Sequence, residues 1–205
     1  MTSKTKTIHG HQIFKEDNAE LAYISPETQI VDGSPARNCE FPSIVHLQVY
    51  NAPTDDMVGM CGENDIAILT LDRPVREGGC VKFAQLARKG ETFGTRRCMA
   101  AGWGDFKFNG NSPNELYKVA LPAIPHNVCK RNSRMRIADG ILCAGDFRQG
   151  GASTCQGDSG GPLYCPSSNG QMVLAGVTSF GNNCDKEISA FSDVGYFRDW
   201  IESNL

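Results

Sequence analysis

Apolar and polar positions divide the chain into contrasting parts. Residues 1–29 are polar, show little periodicity, and read as a leader or propeptide-like arm. From Ile30 onward, short apolar segments alternate with turn residues. Residues 43–50 alternate, with Val45, Leu47 and Val49 on one face and His46 and Gln48 on the other, as a half-buried strand requires. Residues 66–71 are nearly all apolar and predict a buried strand. Further strands are predicted at 99–103, 117–124, 141–144 and 172–180, with Gly-, Pro- and Asn-rich turns at 109–113 and 166–170. Only residues 194–204 have helical spacing, which lets Tyr196, Phe197, Trp200 and Ile201 share a face. Many short strands and one terminal helix predict an all-β sandwich or barrel.

Composition narrows the class. A length of 205 residues suits one or two domains, and 22 Gly with 10 Pro favour turns over long helices. No apolar run approaches the roughly 20 residues of a membrane-spanning helix, so no membrane partner is expected. The net charge of −3 argues against nucleic acid, and Arg131, Arg134 and Arg136 read as a solvated loop. Nine cysteines contain no CxxC pair, so no metal or cofactor is expected, and disulfides in an oxidising compartment explain them better. Their number is odd, however, and Met1 to Lys15 lacks the apolar core of a signal peptide. Together these predict an incomplete or alternatively spliced version of a secreted protein.

Gly157-Asp158-Ser159-Gly160-Gly161 contains G-x-S-x-G, which on its own also fits the strand-to-helix elbow of α/β-hydrolases. Their triad runs serine, acid, histidine, and no histidine follows Ser159. The subtilisin order would need His126, which sits ahead of a cysteine loop without any α/β pattern around it. Chain order excludes both.

The longer motif Cys155-Gln-Gly-Asp-Ser-Gly-Gly-Pro-Leu, with Cys165 after it, resembles the signature of chymotrypsin-like serine proteases. So do Glu63-Asn-Asp-Ile-Ala-Ile-Leu69, Cys98-Met-Ala-Ala-Gly-Trp-Gly104, Ile141-Leu-Cys-Ala-Gly145 and Val177-Thr-Ser-Phe-Gly181. Asp65 and Ser159 stand 94 positions apart, against about 93 for acid and nucleophile in chymotrypsin. The resemblance implies a double β-barrel with a C-terminal helix: a first barrel over 30–85, and a second barrel with the helix over 86–205. It implies Ser159 as the nucleophile, the N–H groups of Gly157 and Ser159 as the oxyanion hole, Asp65 as the acid that orients an imidazole, and Ser179 as a hydrogen-bond partner of Asp65. It also implies the disulfides Cys98–Cys165, Cys129–Cys143 and Cys155–Cys184. Cys80 matches a site that in relatives ties to the propeptide, and Cys39 and Cys61 have no standard counterpart. They pair with each other, or one of them pairs with Cys80.

The base is missing from this pattern. In chymotrypsin the histidine precedes the acid by about 45 positions, which here falls on Glu20, and the hallmark Ala-Ala-His-Cys is absent. His46 reads as a strand-face side chain, His9 and His11 as part of the polar arm, and His126 lies in the second barrel. Ile30-Val-Asp-Gly33 resembles the mature N-terminus of the family, yet only 35 positions separate Ile30 from Asp65. A deletion near residues 50–53, removing the histidine loop, accounts for both the lost base and the odd cysteine, and leaves the first barrel incomplete.

In relatives, cleavage before the Ile30 position frees an ammonium that pairs with the aspartate here numbered Asp158. Gln29 precedes Ile30, so a trypsin-like activator is not expected to cut there. The resemblance places Ser153 at the base of the substrate pocket, with Gly181 and Ser189 on its walls. A neutral base gives no reward for a buried Lys or Arg, so an apolar or small side chain is expected. Two functions follow. One is an extracellular serine endopeptidase acting on proteins or peptides, open to serine protease inhibitors and impaired in this chain. The other is a non-catalytic homologue, or an inactive splice or truncation product, that acts by binding.

Overall fold

The computed structural model describes residues 30–45, 63–147, 151–181, 183–184 and 187–205. The arm at 1–29, residues 46–50 of the expected strand, the suggested junction, and His9, His11, His46 and Cys61 all lie outside them.

The barrel is built around β3 (Tyr117–Ile124), where Tyr117, Val119, Leu121 and Ala123 are buried and the residues between them are half-buried. That period of two fits a strand with one face on a core. β3 pairs antiparallel with β2 (Arg97–Gly102) over six residues, and its C-terminal end pairs with β4 (Ile141–Ala144). From β2 the sheet runs through β5 (Pro162–Pro166), β6 (Met172–Phe180) and β7 (Ser189–Asp193) back to β4. The β3–β4 ladder therefore closes six strands into a ring. A two-residue strand, β1 (Ser34–Pro35), joins β3 on the outside, an edge place that suits its proline.

Leu121, Leu163 and Phe191 are fully buried in the barrel core, each worth about 1.5–3 kcal/mol in transfer from water. Gly176 lets β6 approach that core, because a Cβ there would lie 2.8 Å from the Cβ of Phe191.

Two helices flank the ring. The helix α1 (His126–Asn132) follows Pro125, carries Lys130 and Arg131 in its last turn, and is tied to β4 through Cys129–Cys143. Its one buried residue is Cys129, too little to leave a helical period in the sequence. At the C-terminus, α2 (Arg198–Glu202) is shorter than the expected helix. Phe197 and Ile201 are buried, whereas Tyr196 and Trp200 are exposed. The apolar face is thus narrower than four shared residues would make it.

The expected strand at 66–71 does not form. Ile66 and Ile68 pack against Val194, Phe197 and Ile201, but Leu69 and Leu71 are exposed. A strand needs a ladder partner, and among the described residues none pairs with this segment. The 63–95 stretch contributes only the isolated bridges Gly78↔Val81 and Leu86↔Leu174. Arg198 fastens it to α2, donating to the carbonyls of Leu86 and Ala87 at 3.1 Å each.

The three disulfides implied by the resemblance are present, and a fourth joins Cys39 to Cys80. The open pairing among Cys39, Cys61 and Cys80 is thereby resolved. Because loop-closure entropy grows with loop length, the 67-residue separation of Cys98–Cys165 should matter more than the 14 of Cys129–Cys143. Urea unfolding of C98A/C165A should give a loss of about 4 kcal/mol, against about 3 kcal/mol for C129A/C143A. The reverse order would refute the entropic account.

Candidate active site

The turn leading into β5 is held by three backbone hydrogen bonds. Asp158 N–H donates to the Cys155 carbonyl at 3.0 Å, Gly161 N–H to the Asp158 carbonyl at 2.9 Å, and Gly160 N–H to the Thr178 carbonyl on β6 at 2.9 Å. Glycine is required at 157 for two reasons. Its φ is +93°, in the left-handed region, and a Cβ there would meet Gly104 Cα at 3.1 Å. Between these bonds, neither the Gly157 nor the Ser159 N–H finds an acceptor among the described residues. Ser159 is exposed beside them and lines a cavity of about 170 Å³.

Asp158 points the other way, into the protein. Its side chain is 2% exposed, and its two oxygens accept the N–H groups of Gly104 at 2.8 Å and Cys155 at 2.9 Å. Gly102 and Gly104 make room for it, since a Cβ on either would fall within 3 Å of its carboxylate. Burial pushes the carboxyl up to about 6, against the pull of the two N–H groups and with a further push from Asp105. Ile30 is fully buried in the barrel core cluster and remains joined to Gln29, so it offers a peptide N–H rather than an ammonium. No ion pair links Ile30 to Asp158 among the described residues.

Asp65 reaches the barrel through a turn in which Asn64 takes φ +65°, a conformation asparagine tolerates. Ser179 Oγ donates to Asp65 Oδ2 at 2.5 Å, and Ser179 also lines the cavity that Ser159 borders. The β6–β7 register shifts between Thr178 and Phe180, so Ser179 sits at a bulge. Bulges re-aim side chains, here toward Asp65. Ser179 thus ties Asp65, which comes from a loop, to the cavity that Ser159 borders.

Of the three expected pocket residues, Gly181 lines the cavity. Ser153 is fully buried and its Oγ has no partner among the described residues, while Ser189 Oγ accepts the Thr154 N–H at 2.9 Å. In their place Ile188, Phe180 and Phe108 line the space. Ile188 is adjacent to the expected wall position and could have been suspected from it. Phe108 stands just before the turn predicted at 109–113, and the sequence carries no signal that it reaches the cavity. The one described imidazole, His126, is elsewhere. Its Nδ1 lies 3.1 Å from the Ile141 carbonyl and its Nε2 3.6 Å from Asp139.

The buried Asp158 gives a pH test. The folded state holds its proton more tightly than the unfolded state, whose value is near 3.8. Its contribution to stability is therefore complete below about pH 3.8 and is lost as pH rises through about 6. The loss is about 3 kcal/mol at 1.36 kcal/mol per unit. Measured by urea unfolding from pH 3 to 7, wild type should lose that much relative to Asp158→Asn. The buried Asp193, also raised by burial, is common to both proteins and cancels. A difference independent of pH would refute the assignment.

Comparison with known proteins agrees with this geometry. The family described as Trypsin matches residues 13–201. Chymotrypsin-like elastase family member 3B of Homo sapiens is 37% identical over 153 residues, covering 71% of this chain and 55% of that protein. Transmembrane protease serine 9 of Rattus norvegicus is 36% identical over 143 residues, covering 69% and 13%. A solved mutant of human heparin binding protein superposes with a TM-score of 0.53 and 28% identity, covering 64% of this chain and 55% of that one. The chain thus spans little more than half the length of the elastase it matches, and less of the transmembrane protease. No helix among the described residues is long and apolar enough to cross a membrane. With its turn at 155–161, its closed six-strand barrel and this family match, the chain belongs to the trypsin family of chymotrypsin-like serine proteases.

Proposed function

We propose that this chain is a serine endopeptidase by descent whose peptide hydrolysis is impaired for want of a base. Ser159 Oγ is the nucleophile, and the carbonyl oxygen it would charge is received by the N–H groups of Gly157 and Ser159. Asp65, held by Ser179, is the acid that would orient an imidazole. The carrying observation is that the nucleophile turn has two N–H groups without acceptors among the described residues, while His126 is engaged at Ile141 and Asp139. Loss of the histidine in subtilisin costs about 2 × 10⁶ in turnover. An oxyanion hole and binding alone retain about 10³–10⁴ over water.

The substrates are proteins or peptides, and serine protease inhibitors are the expected competitors for the same cleft. The small cavity, bordered by Phe180 and Ile188 and lined by no charged group among the described residues, favours an apolar or small side chain before the scissile bond. Disulfides and the family match support an extracellular setting. A second reading, a non-catalytic homologue or truncation product that acts by binding, draws on the same engagement of His126. One similar solved protein is named for binding rather than cleavage.

Reaction of Ser159 with a fluorophosphonate, with and without free imidazole, separates the readings. The impaired enzyme should label slowly. Free imidazole should raise the rate by roughly tenfold or more, below the about 10²–10⁴ of a positioned base, and Ser159→Ala should abolish labelling. Fast labelling without imidazole would overturn the impairment. No labelling in either condition would favour the binding protein.

A further inference from the structure

Asp65 belongs to a segment that pairs with no strand among the described residues, yet it is held at two points. Ser179 Oγ, on β6, donates to its carboxylate. A second hydroxyl, Ser192 Oγ on β7, donates to its backbone carbonyl at 2.5 Å. Ser192 is fully buried, with Val177 of β6 and Ile141 of β4 as its cross-strand neighbours.

We propose that Ser192 is a positioning residue for Asp65, fixing the main chain while Ser179 fixes the carboxylate. The proposal rests on Asp65 being the acid of the site. A single hydrogen bond to a carboxylate leaves the backbone free to shift and the side chain free to follow. Anchoring the carbonyl as well constrains both ends of a short side chain. Other attachments of the segment cannot set its register to the same degree. Ile66 and Ile68 supply non-directional packing, and the Arg136–Glu63 pair at 3.0 Å is exposed at both partners. The bond is required from the β7 side too, because a buried hydroxyl deprived of its acceptor is unfavourable. Ser192 follows the core residue Phe191 and so faces the other side of β7, toward Asp65, and the barrel itself dictates where the acid sits. Misplacement by about 1 Å can lower a rate about 10²-fold.

The test compares wild type, Ser192→Ala and Ser192→Thr with two readouts. The first is the ¹⁵N order parameter of the Asp65 and Ile66 amides. In Ser192→Ala it should fall from about 0.85, typical of rigid backbone, toward the flexible range below about 0.6. The second is the imidazole-dependent fluorophosphonate rate at Ser159, which should fall by up to about 10²-fold. Ser192→Thr keeps the hydroxyl and should restore both. Unchanged order parameters in Ser192→Ala would overturn the anchor. Lower order parameters with an unchanged imidazole-dependent rate would reduce Ser192 to a structural role and overturn the proposal as well. If wild type itself shows no imidazole-dependent labelling, the enzymatic reading fails, and the order parameters alone decide whether Ser192 holds Asp65.

Discussion

Closure of the barrel through β3 is the constraint on which the rest of the molecule depends. Within the ring this strand carries two ladders, six pairs to β2 and a shorter set to β4. Each of the six ring strands therefore has a neighbour on both sides. Closure removes the open edges that an unfinished sheet would expose. It also brings together loops far apart in sequence. The turn at 155–161 is stitched to β6 through Gly160 and Thr178, and Thr178 N–H returns to the Gly161 carbonyl at 2.8 Å. The bulge that aims Ser179 and the strand that carries Ser192 belong to the same ring. The candidate site is thus a property of the closed barrel rather than of any single motif.

Two aspartates at this site are held in opposite electrostatic settings. Asp158 is enclosed and receives two backbone N–H groups, which do not offset the desolvation of its charge. Asp65 is exposed, and hydroxyls bind both its carboxylate and its carbonyl. Asp158 folds the turn at 155–161 back onto Gly102 and Gly104, whereas the Asp65 carboxylate stays open to solvent with one oxygen held by Ser179. The glycines on both sides of this arrangement are demanded by contact distance, which explains their spacing in Gly102-Trp-Gly104 and Gly157.

Legibility differed between the halves of the chain. Strands β2, β3, β4 and β6 were readable because each alternates or runs apolar against one continuous core. β5 was hidden inside the nucleophile motif, and β7, Ser-Ala-Phe-Ser-Asp, mixes polar and apolar residues while being almost wholly buried. No period of two can reveal a strand whose hydroxyls are satisfied internally. Residues 66–71 misled for the converse reason. An apolar run carries the composition of a buried strand, but without a ladder partner only Ile66 and Ile68 find a surface to cover. In the pocket, Gly181 was foreseeable from its motif, whereas Phe108 enters from a loop whose path no local pattern encodes.

By itself the sequence determined the family, the order of the motifs around Asp65 and Ser159, three of the disulfides implied by resemblance, and the absence of a histidine at the expected distance from Asp65. These are matters of residue identity and spacing, which survive without coordinates. Only the tertiary structure decided that Cys39 bonds Cys80, that Ile188 and Phe180 rather than Ser189 border the cavity, and that His126 is committed to Ile141. It alone showed that β6 and β7 each send a hydroxyl to Asp65. Such contacts join residues more than a hundred positions apart. They exist because barrel closure sets the register between strands, and register is a relation that no local segment of the chain contains.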